Sequence, residues 1–366
     1  MSVPKSYETI ADKVLSGVRL SRQDGLQLFE CSDLLFLGQL ARHVKRQKTG
    51  NRAFFNVNRH INLTNVCVSR CKFCAFSKSP GEDGAYTMTP DEAVRAAIES
   101  SPQGMTELHV VNGLHPELPF EYYVEVIRRL RQALPSVHIQ AFTAVEIDYF
   151  SEISGLGPRE VLTRLKEAGL GSLPGGGAEV FSPRLREVLC SRKASGERWL
   201  EVMRIAHSLG LRSNATMLYG HLETAPERVD HLLALRELQH ETGGFQSFIP
   251  LRFHPANTAL AHIPQADAVT DLRVIALSRL LLDNFAHVKA FWIMLGVRMA
   301  QLSLEFGVDD LDGTVVEEKI IHAAGAQTDQ GISKDELIRL IRDAGLVPVE
   351  RDTLYNVIKV YDGMIA

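Results

Sequence analysis

Three cysteines lie close together in this 366-residue chain: Cys67, Cys71 and Cys74 form a C-x₃-C-x₂-C array. Thiols at this spacing are poor material for a disulfide framework, but thiolate is the soft ligand that iron–sulfur clusters prefer. Three thiolates leave one iron of a four-iron cluster without a protein ligand, and an open iron can bind a small molecule. The array therefore predicts a 4Fe–4S cluster that serves as a reagent and not only as an electron store.

Zinc and buried free thiols are the alternatives for the same three cysteines. Zinc would need Cys190 or a histidine as a distant fourth ligand. Structural zinc sites usually consist of two cysteine pairs, and this sequence has no second pair. The spacing, with the aromatic Phe73 directly before Cys74, resembles the motif of the radical S-adenosylmethionine (radical SAM) superfamily. That motif is specific when it follows a first strand and opens a series of β/α units.

The composition is that of a large globular protein, with 45% hydrophobic and 23% charged residues and a net charge of −4. This charge gives no general signal for binding nucleic acid or a membrane surface. The basic run at residues 42–52 is better explained as a solvated helix end. Five cysteines, three of them clustered, indicate a reducing compartment. There is no signal-peptide pattern and no apolar run of about 18 residues, so we expect a cytoplasmic protein with no nucleic-acid or membrane partner.

The elements that must position the cysteines follow an alternating pattern. Residues 1–50 have apolar residues at helical spacing and predict an N-terminal helical extension. Strand-like and amphipathic helical segments then alternate in about eight β/α units, the order of a parallel (β/α)₈ TIM-type barrel. The predicted strands are residues 59–63, 107–111, 138–142, 171–173, 212–218, 246–249, 289–294 and 308–310. The predicted helices are residues 90–99, 120–133, 158–168, 197–209, 226–241 and 269–284. We assign an α/β radical SAM barrel to residues 51–314 and expect residues 315–366 to form C-terminal helices that pack on it.

Active sites of such barrels lie at the carboxyl ends of the strands, and the loops predicted there are polar and glycine-rich. The cofactor-binding candidates in these loops are Phe73, Asn112, Gly113, Glu146, Gly176 and Glu179. Asn112 and Gly113 suit the amino and carboxylate end of a methionine moiety, the two glutamates suit ribose hydroxyls or an ammonium group, and Phe73 suits an adenine. The glycine run at residues 175–177 lets backbone approach a ligand closely. A tight turn, ion pairs of the glutamates and core packing of Phe73 remain open alternatives.

Cationic side chains fall in the same set of loops. A cationic mouth suits an anionic substrate, because the arginine fork matches a carboxylate. Arg252, His254 and Arg298 are the candidates for catalytic contacts with substrate carboxylates. The acidic run at residues 309–312 is better explained as a solvated turn or cap than as a Mg²⁺ site.

Longer blocks of sequence narrow the resemblance. From about residue 58 to residue 356 the chain closely resembles the aminodeoxyfutalosine synthases, radical SAM enzymes of the futalosine route to menaquinone. The similar blocks include NRHINLTNVCVSRCKFCAF, VVNGLHPELPFEYY, AFTAVEIDYFSEISGL, LPGGGAEVF and DDLDGTVVEEKI. The cyclic dehypoxanthinyl futalosine synthases and the deazaflavin-cofactor synthases share much of this pattern, but AFTAVEIDYF and DDLDGTVVEEK resemble the first family and not these. Asn112 stands where these relatives usually carry glycine.

The resemblance implies an activity. Cys67, Cys71 and Cys74 would hold one 4Fe–4S cluster, with S-adenosyl-L-methionine as co-substrate. The 5′-deoxyadenosyl radical would add to 3-[(1-carboxyvinyl)oxy]benzoate, and rearrangement with loss of carbon dioxide would give 6-amino-6-deoxyfutalosine and methionine. The implied partners are this small dicarboxylate and an external one-electron reductant of the flavodoxin or ferredoxin type.

Two other functions stay open on the sequence. A hydrogen-abstracting relative, such as a cyclic dehypoxanthinyl futalosine synthase or a deazaflavin-cofactor synthase, would release free 5′-deoxyadenosine. A non-enzymatic iron–sulfur carrier would not need about eight glycine- and histidine-bearing loops around one mouth.

Overall fold

The computed structural model describes residues 7–99 and 101–362. Its first part is helical, as predicted: α1 (Glu8–Leu15), α2 (Arg22–Glu30) and α3 (Leu34–Thr49) precede strand β1 (Arg52–Asn56). Helix α2 begins in a capping box, because the Ser21 hydroxyl accepts from the backbone N–H of Asp24 and the Asp24 carboxylate accepts from that of Ser21. Residues 1–6 of the predicted extension lie outside the described residues.

A parallel sheet forms the centre of the molecule. In the described part of the chain it has seven strands in chain order. They are β2 (Asn58–Ile61), β3 (Glu107–Val110), β4 (His138–Ala141), β5 (Ser172–Leu173), β6 (Arg212–Tyr219), β7 (Phe245–Arg252) and β8 (His287–Val288). The segment 310–316 joins the two edges, since Ala290 N–H donates to Asp310 O (2.8 Å) and His60 N–H donates to Val316 O (3.0 Å). It occupies the eighth strand position, and the predicted α/β TIM-type fold is confirmed.

Helices connect these strands on the outside of the sheet. They are α4 (Pro90–Ile98), α5 (Phe120–Ala133), α6 (Ala144–Ser154), α7 (Pro158–Ala168), α8 (Pro183–Cys190), α9 (Gly196–Ser208), α10 (Ala225–Thr242) and α11 (Ala268–Leu281). Helices α5 and α7 have the predicted bounds, whereas α6 begins in a stretch that we predicted to be a loop, and α8 lies where we predicted no element. Within the described residues, no helix is both long enough and apolar enough to cross a membrane.

Two short helices follow β8, namely α12 (Trp292–Leu295) and α13 (Val297–Ser303). The predicted strand at residues 289–294 is therefore wrong. Strand pairing ends at Lys289, which bridges to Asp310. Beyond it the chain turns, and the Trp292 indole N–H donates to Gly313 O (2.8 Å).

The last part of the chain, residues 315–366, is not all helical, so that prediction is wrong in part. After β9 (Asp310–Gly313) come α14 (Ile320–Ala323), α15 (Lys334–Asp343), β10 (Val347–Arg351) and β11 (Val357–Val360). A second sheet has the order β11-β10-β1-β9. Strand β10 pairs with β1, a partner almost 300 residues earlier, and Pro348 within it counts against a strand locally. Residues 363–366 lie outside the described residues.

Alternation along the strands separates the apolar core from the barrel interior. Leu108, Ile139 and Phe248 are fully buried on the outward side of the sheet. The alternate positions, among them His109 and Gln140, line a cavity inside the barrel. The interior is therefore polar, where TIM barrels usually pack branched apolar side chains.

The acidic run at residues 309–312 is buried, contrary to the predicted solvated turn. Asp309 pairs with Arg279, and Asp310 Oδ2 lies 2.7 Å from Arg351 Nε. All four side chains are at most 1% exposed. Buried charges persist when each has its own partner, and these two pairs tie the β9 segment to α11 and β10.

Candidate active site

One cavity brings together most of the predicted site residues, and we call it the central cavity. Its lining includes Cys67, Cys71, Cys74, Phe73, Asn112, Gly113, Glu146, Gly176, Glu179 and His254. Three thiols and the predicted cofactor contacts thus face one space at the carboxyl ends of the strands.

The cysteine loop, residues 62–89, is pinned by backbone hydrogen bonds. Cys67 N–H donates to Lys78 O (3.0 Å) across the loop. Val68 N–H donates to Leu114 O (3.0 Å) in the loop after β3. The backbone therefore fixes where the thiols stand before any metal binds.

The donor set fits a 4Fe–4S cluster. All three cysteines are free thiols, with Cys71 buried and Cys67 and Cys74 half-buried. Cluster ligands bind separate irons, whereas zinc needs its ligands around one point. Among the described residues, no three histidine, cysteine, aspartate or glutamate side chains gather around one point. Contact with Cys190, and then burial, raise the pKa of Cys71, and coordination to a metal is what removes the proton from such a thiol.

The loop after β3 is fixed to the cysteine loop. Gly113 N–H donates to Thr64 O (3.0 Å), and a side chain at position 113 would collide with the carbonyl oxygen of Val66. Close approach of two backbones therefore requires this glycine. The neighbouring Asn112 donates from Nδ2 to Glu146 Oε1 (3.1 Å), so its amide is held toward α6.

Glu146 closes the start of α6 and supports Asn112. Its Oε2 accepts from Thr143 N–H (2.7 Å), and its Oε1 accepts from Asn112 N–H (3.0 Å). Burial raises the pKa of Glu146 to about 7. The hydrogen bonds oppose this shift, because they favour the carboxylate. The carboxylate is thus engaged by the protein and holds the Asn112 loop in place.

A half-buried ion pair lies beside the cysteines and includes a residue that sequence analysis missed. Glu179 Oε1 and Lys193 Nζ are 2.6 Å apart, and their side chains are 12% and 14% exposed. Both line the central cavity, and Lys193 Nζ lies 5.4 Å from the ring centroid of Phe73. Burial opposes ionisation of Glu179, but attraction to Lys193 outweighs it and holds the pKa of Glu179 below its ordinary value. Lys193 lies in the loop between α8 and α9, where no periodic pattern pointed to the cavity.

The glycine run after β5 is shaped by its own turn. A side chain at Gly175 would come within 2.8 Å of the backbone of Ala215, and Gly177 has φ +80°. Gly176 O accepts from the Trp199 indole N–H (3.1 Å). The turn alternative therefore accounts for Gly175 and Gly177, while Gly176 contributes backbone to the cavity wall.

His254 lines the central cavity, and its Nε2–H donates to Met294 O (2.9 Å). Burial lowers the pKa of His254, so the ring is neutral at pH 7. Arg298, by contrast, is exposed on α13 and does not line the cavity.

Arg252 is also outside the cavity lining. Its guanidinium donates to Asp271 Oδ2 (3.1 Å), a carboxylate with no exposed side-chain surface. Its neighbours Leu251 and Phe253 line the cavity. Because side chains alternate along a strand, Arg252 faces the opposite way.

The wall below the cysteine loop is polar, and sequence analysis missed it. We use the name polar layer for six of the cavity-lining residues: His60, His109, Gln140, Asn214, Lys289 and Asp312. The first three are register partners on neighbouring strands. The signal for them was available, since each is a polar residue at an inward strand position.

Known proteins resemble this chain along almost its whole length. The radical SAM superfamily model matches residues 61–235, and the model of the CofH/MqnC C-terminal region matches residues 242–364. The aminodeoxyfutalosine synthases of Streptomyces coelicolor and Thermus thermophilus are each 48% identical, over 97% and 96% of this chain and 94% and 96% of the relatives. The cyclic dehypoxanthine futalosine synthase of Streptomyces coelicolor is 38% identical over 99% of this chain and 91% of its own. The crystal structure of methylornithine synthase superposes with a TM-score of 0.74 at 18% identity, over 93% of this chain and 97% of that one, and so shows the fold alone.

Proposed function

We propose that this chain, which belongs to the aminodeoxyfutalosine synthase family of radical SAM enzymes, converts 3-[(1-carboxyvinyl)oxy]benzoate and S-adenosyl-L-methionine to 6-amino-6-deoxyfutalosine, methionine and carbon dioxide. As a member of that family it is a radical SAM transferase with one 4Fe–4S cluster. One observation carries the proposal for the substrate. A single cavity has three cysteines of the superfamily array at its mouth and a polar layer below, in a chain 48% identical to that family.

Cys67, Cys71 and Cys74 would hold the cluster. When bound and reduced, the cluster supplies the electron that cleaves S-adenosylmethionine. The pinned cysteine loop supports this role, because rigid backbone keeps the ligand geometry when the metal is absent. The proposed electron source is an external one-electron carrier of the flavodoxin or ferredoxin type. The free cysteines agree with a reducing, cytoplasmic location.

Lys193 and Glu179 would bind the methionine end of S-adenosylmethionine. That end is a zwitterion, with a carboxylate and an ammonium group on one carbon. A lysine and a glutamate 2.6 Å apart beside the cysteines offer the complementary charges. Phe73, Asn112 and Gly176 line the same cavity and would contact the rest of the cofactor. Gly113 would bring backbone close to it.

The remaining walls keep water from the radical. Val145, Leu218, Ile249 and Phe291 line the cavity with apolar surface, and a dry site prevents side reactions of a reactive intermediate. The only N–H of the neutral His254 ring donates to Met294 O, so we propose His254 as part of the cavity wall and not as a donor to a substrate carboxylate. Arg252 and Arg298 do not line the cavity, so we propose no substrate contact for either.

A product assay tests the function. The cluster is reconstituted without oxygen, dithionite and both substrates are added, and the mixture is analysed by mass spectrometry. We expect an adduct that contains the adenosyl group and has lost carbon dioxide. Free 5′-deoxyadenosine without an adduct would contradict the proposal and favour a hydrogen-abstracting relative.

A Cys71→Ala variant serves as the control for this assay, since it keeps the cavity but removes one cluster ligand. Activity that persisted in that variant would show that the product did not arise at the cluster. Exchange of dithionite for reduced flavodoxin tests the proposed electron source.

A further inference from the structure

The polar layer contains hydrogen-bond donors that the protein itself does not use. Lys289 is 3% exposed and lines the central cavity. In the described part of the chain its Nζ has one hydrogen-bond acceptor, Asp312 Oδ1, at 3.1 Å. An ammonium group carries three N–H donors. Two donors of a buried lysine are therefore left for a ligand.

His60 is a second unused group of the same layer. Neither of its ring nitrogens has a hydrogen-bond partner among residues 7–99 and 101–362. The ring is held by stacking instead, 4.4 Å from the ring centroid of His109 and 6.2 Å from that of Phe291. His109 is itself fixed, with Nδ1 3.2 Å from Gln140 Oε1. The His60 ring is thus oriented by its neighbours while its polar edge stays free.

The free donors of this region suit a ligand that brings hydrogen-bond acceptors. Burial lowers the pKa of His60 and of His109 and so disfavours the charged form of each ring. The acidic neighbours are already engaged, since Asp312 pairs with Lys289 and Glu107 Oε2 accepts from Asn56 Nδ2 (3.1 Å). A group with two acceptor oxygens satisfies the free donors, and a carboxylate is such a group.

We propose that Lys289 and His60 bind the ring carboxylate of the aryl substrate at the floor of the central cavity. This inference rests on the proposed function and adds an orientation to it. His60 lies within β2, whereas Cys67 lies beyond the carboxyl end of that strand. If the ring carboxylate binds at the floor, the vinyl ether and the carboxylate on the vinyl group point up toward the cysteine loop and His254.

Ligand binding to matched variants tests this orientation. The reconstituted enzyme is saturated with S-adenosylmethionine without reductant, and binding is measured by calorimetry. The ligands are the full substrate, 2-phenoxyacrylate, which lacks the ring carboxylate, and 3-(vinyloxy)benzoate, which lacks the other one. The variants are His60→Phe, which preserves stacking and breaks no hydrogen bond, and Lys289→Gln with Asp312→Asn, which removes both charges together.

We expect both variants to bind the full substrate and 3-(vinyloxy)benzoate about 10- to 100-fold more weakly, the loss that a charge-assisted hydrogen bond predicts. Binding of 2-phenoxyacrylate should change less than about threefold in the same variants. The control variants His43→Phe and Lys334→Gln change residues outside the cavity lining and should leave the binding of all three ligands unchanged. An equal loss for all three ligands, or a loss confined to 2-phenoxyacrylate, would overturn the inference, as would no loss in either variant. A wild-type enzyme that neither binds the full substrate nor forms the adduct would instead refute the proposed function.

Discussion

Replacement of Lys193 by methionine is the sharpest test of the ion pair at the cavity mouth. The Lys193 and Glu179 side chains are 14% and 12% exposed, with Nζ and Oε1 2.6 Å apart. Loss of one partner of a buried pair costs about 3–5 kcal/mol, because the other charge is left uncompensated. The slight exposure favours the lower end, so we expect Lys193→Met to lower the free energy of unfolding by about 3 kcal/mol. Adding Glu179→Gln should restore most of that loss, since no buried charge remains.

The assay has two readouts that separate stability from binding. Urea denaturation of the cluster-free protein measures the free energy of unfolding. Equilibrium dialysis of reconstituted enzyme measures affinity for S-adenosylmethionine, which should fall about 10- to 100-fold in both the single and the double variant. Recovery of stability without recovery of binding is the expected signature. A double variant that bound S-adenosylmethionine like the wild type would refute the assignment, and a single variant as stable as the wild type would refute the electrostatic reasoning.

The other predictions concern the cluster, two separate arginines and a buried histidine. Cys71→Ala should lose the brown chromophore and the full iron content after anaerobic reconstitution, and a full iron complement would contradict the ligand assignment. Arg252→Met should lower the free energy of unfolding, measured by urea denaturation, by about 3 kcal/mol, because the buried Asp271 keeps its hydrogen bond from Tyr219 but loses its counter-charge. Arg298→Met on the surface should change that free energy by less than about 0.5 kcal/mol and leave turnover unchanged. Burial lowers the pKa of His231 to about 3, so between that value and the ordinary 6.5 the unfolded chain binds more protons and stability falls as pH falls. His231→Gln should remove this component, at most about 1.4 kcal/mol per pH unit, and a variant with the wild-type pH profile would contradict the assignment.

Local signals predicted the elements whose boundaries are set locally. Helix α7 begins at a proline and ends before Gly169, and both residues mark helix ends in sequence. Helix α6 carries an equally good capping box, with Thr143 and Glu146 three residues apart. We missed it because the expectation of a functional loop after β4 overrode that signal. Strands β10 and β11 were beyond local reasoning, since β10 joins its sheet by pairing with β1, almost 300 residues earlier in the chain.

The predicted site residues come together in one cavity where sequence spacing decided their selection, and they lie apart where the direction of a side chain decides. The cysteine array needed no fold to be recognised, and all three thiols line the central cavity. Arg252 was predicted to lie in the loop after residues 246–249, but it is the last residue of β7, and Leu251 and Phe253 face the cavity in its place. Counting parity along β7 would have shown this. Lys193 carried no signal, because its approach to Glu179 depends on the packing of two helices that flank it.

The barrel interior is where local pattern and function conflict. In the sequence, its polar residues follow the pattern of strands with one solvent-exposed face. In the structure, the face they occupy is enclosed. Enclosed polar groups destabilise a protein unless they are bonded, and most members of the polar layer are. Gln140 Oε1 accepts from Asn214 Nδ2 (3.4 Å), and Asn214 Oδ1 accepts from the Ser247 hydroxyl (2.8 Å). Lys289 and His60 keep free donors within this otherwise hydrogen-bonded network. Binding of a ligand to these donors would offset the free energy that their burial costs. Sequence-level reasoning fails at such positions because it assumes that every enclosed residue serves the fold.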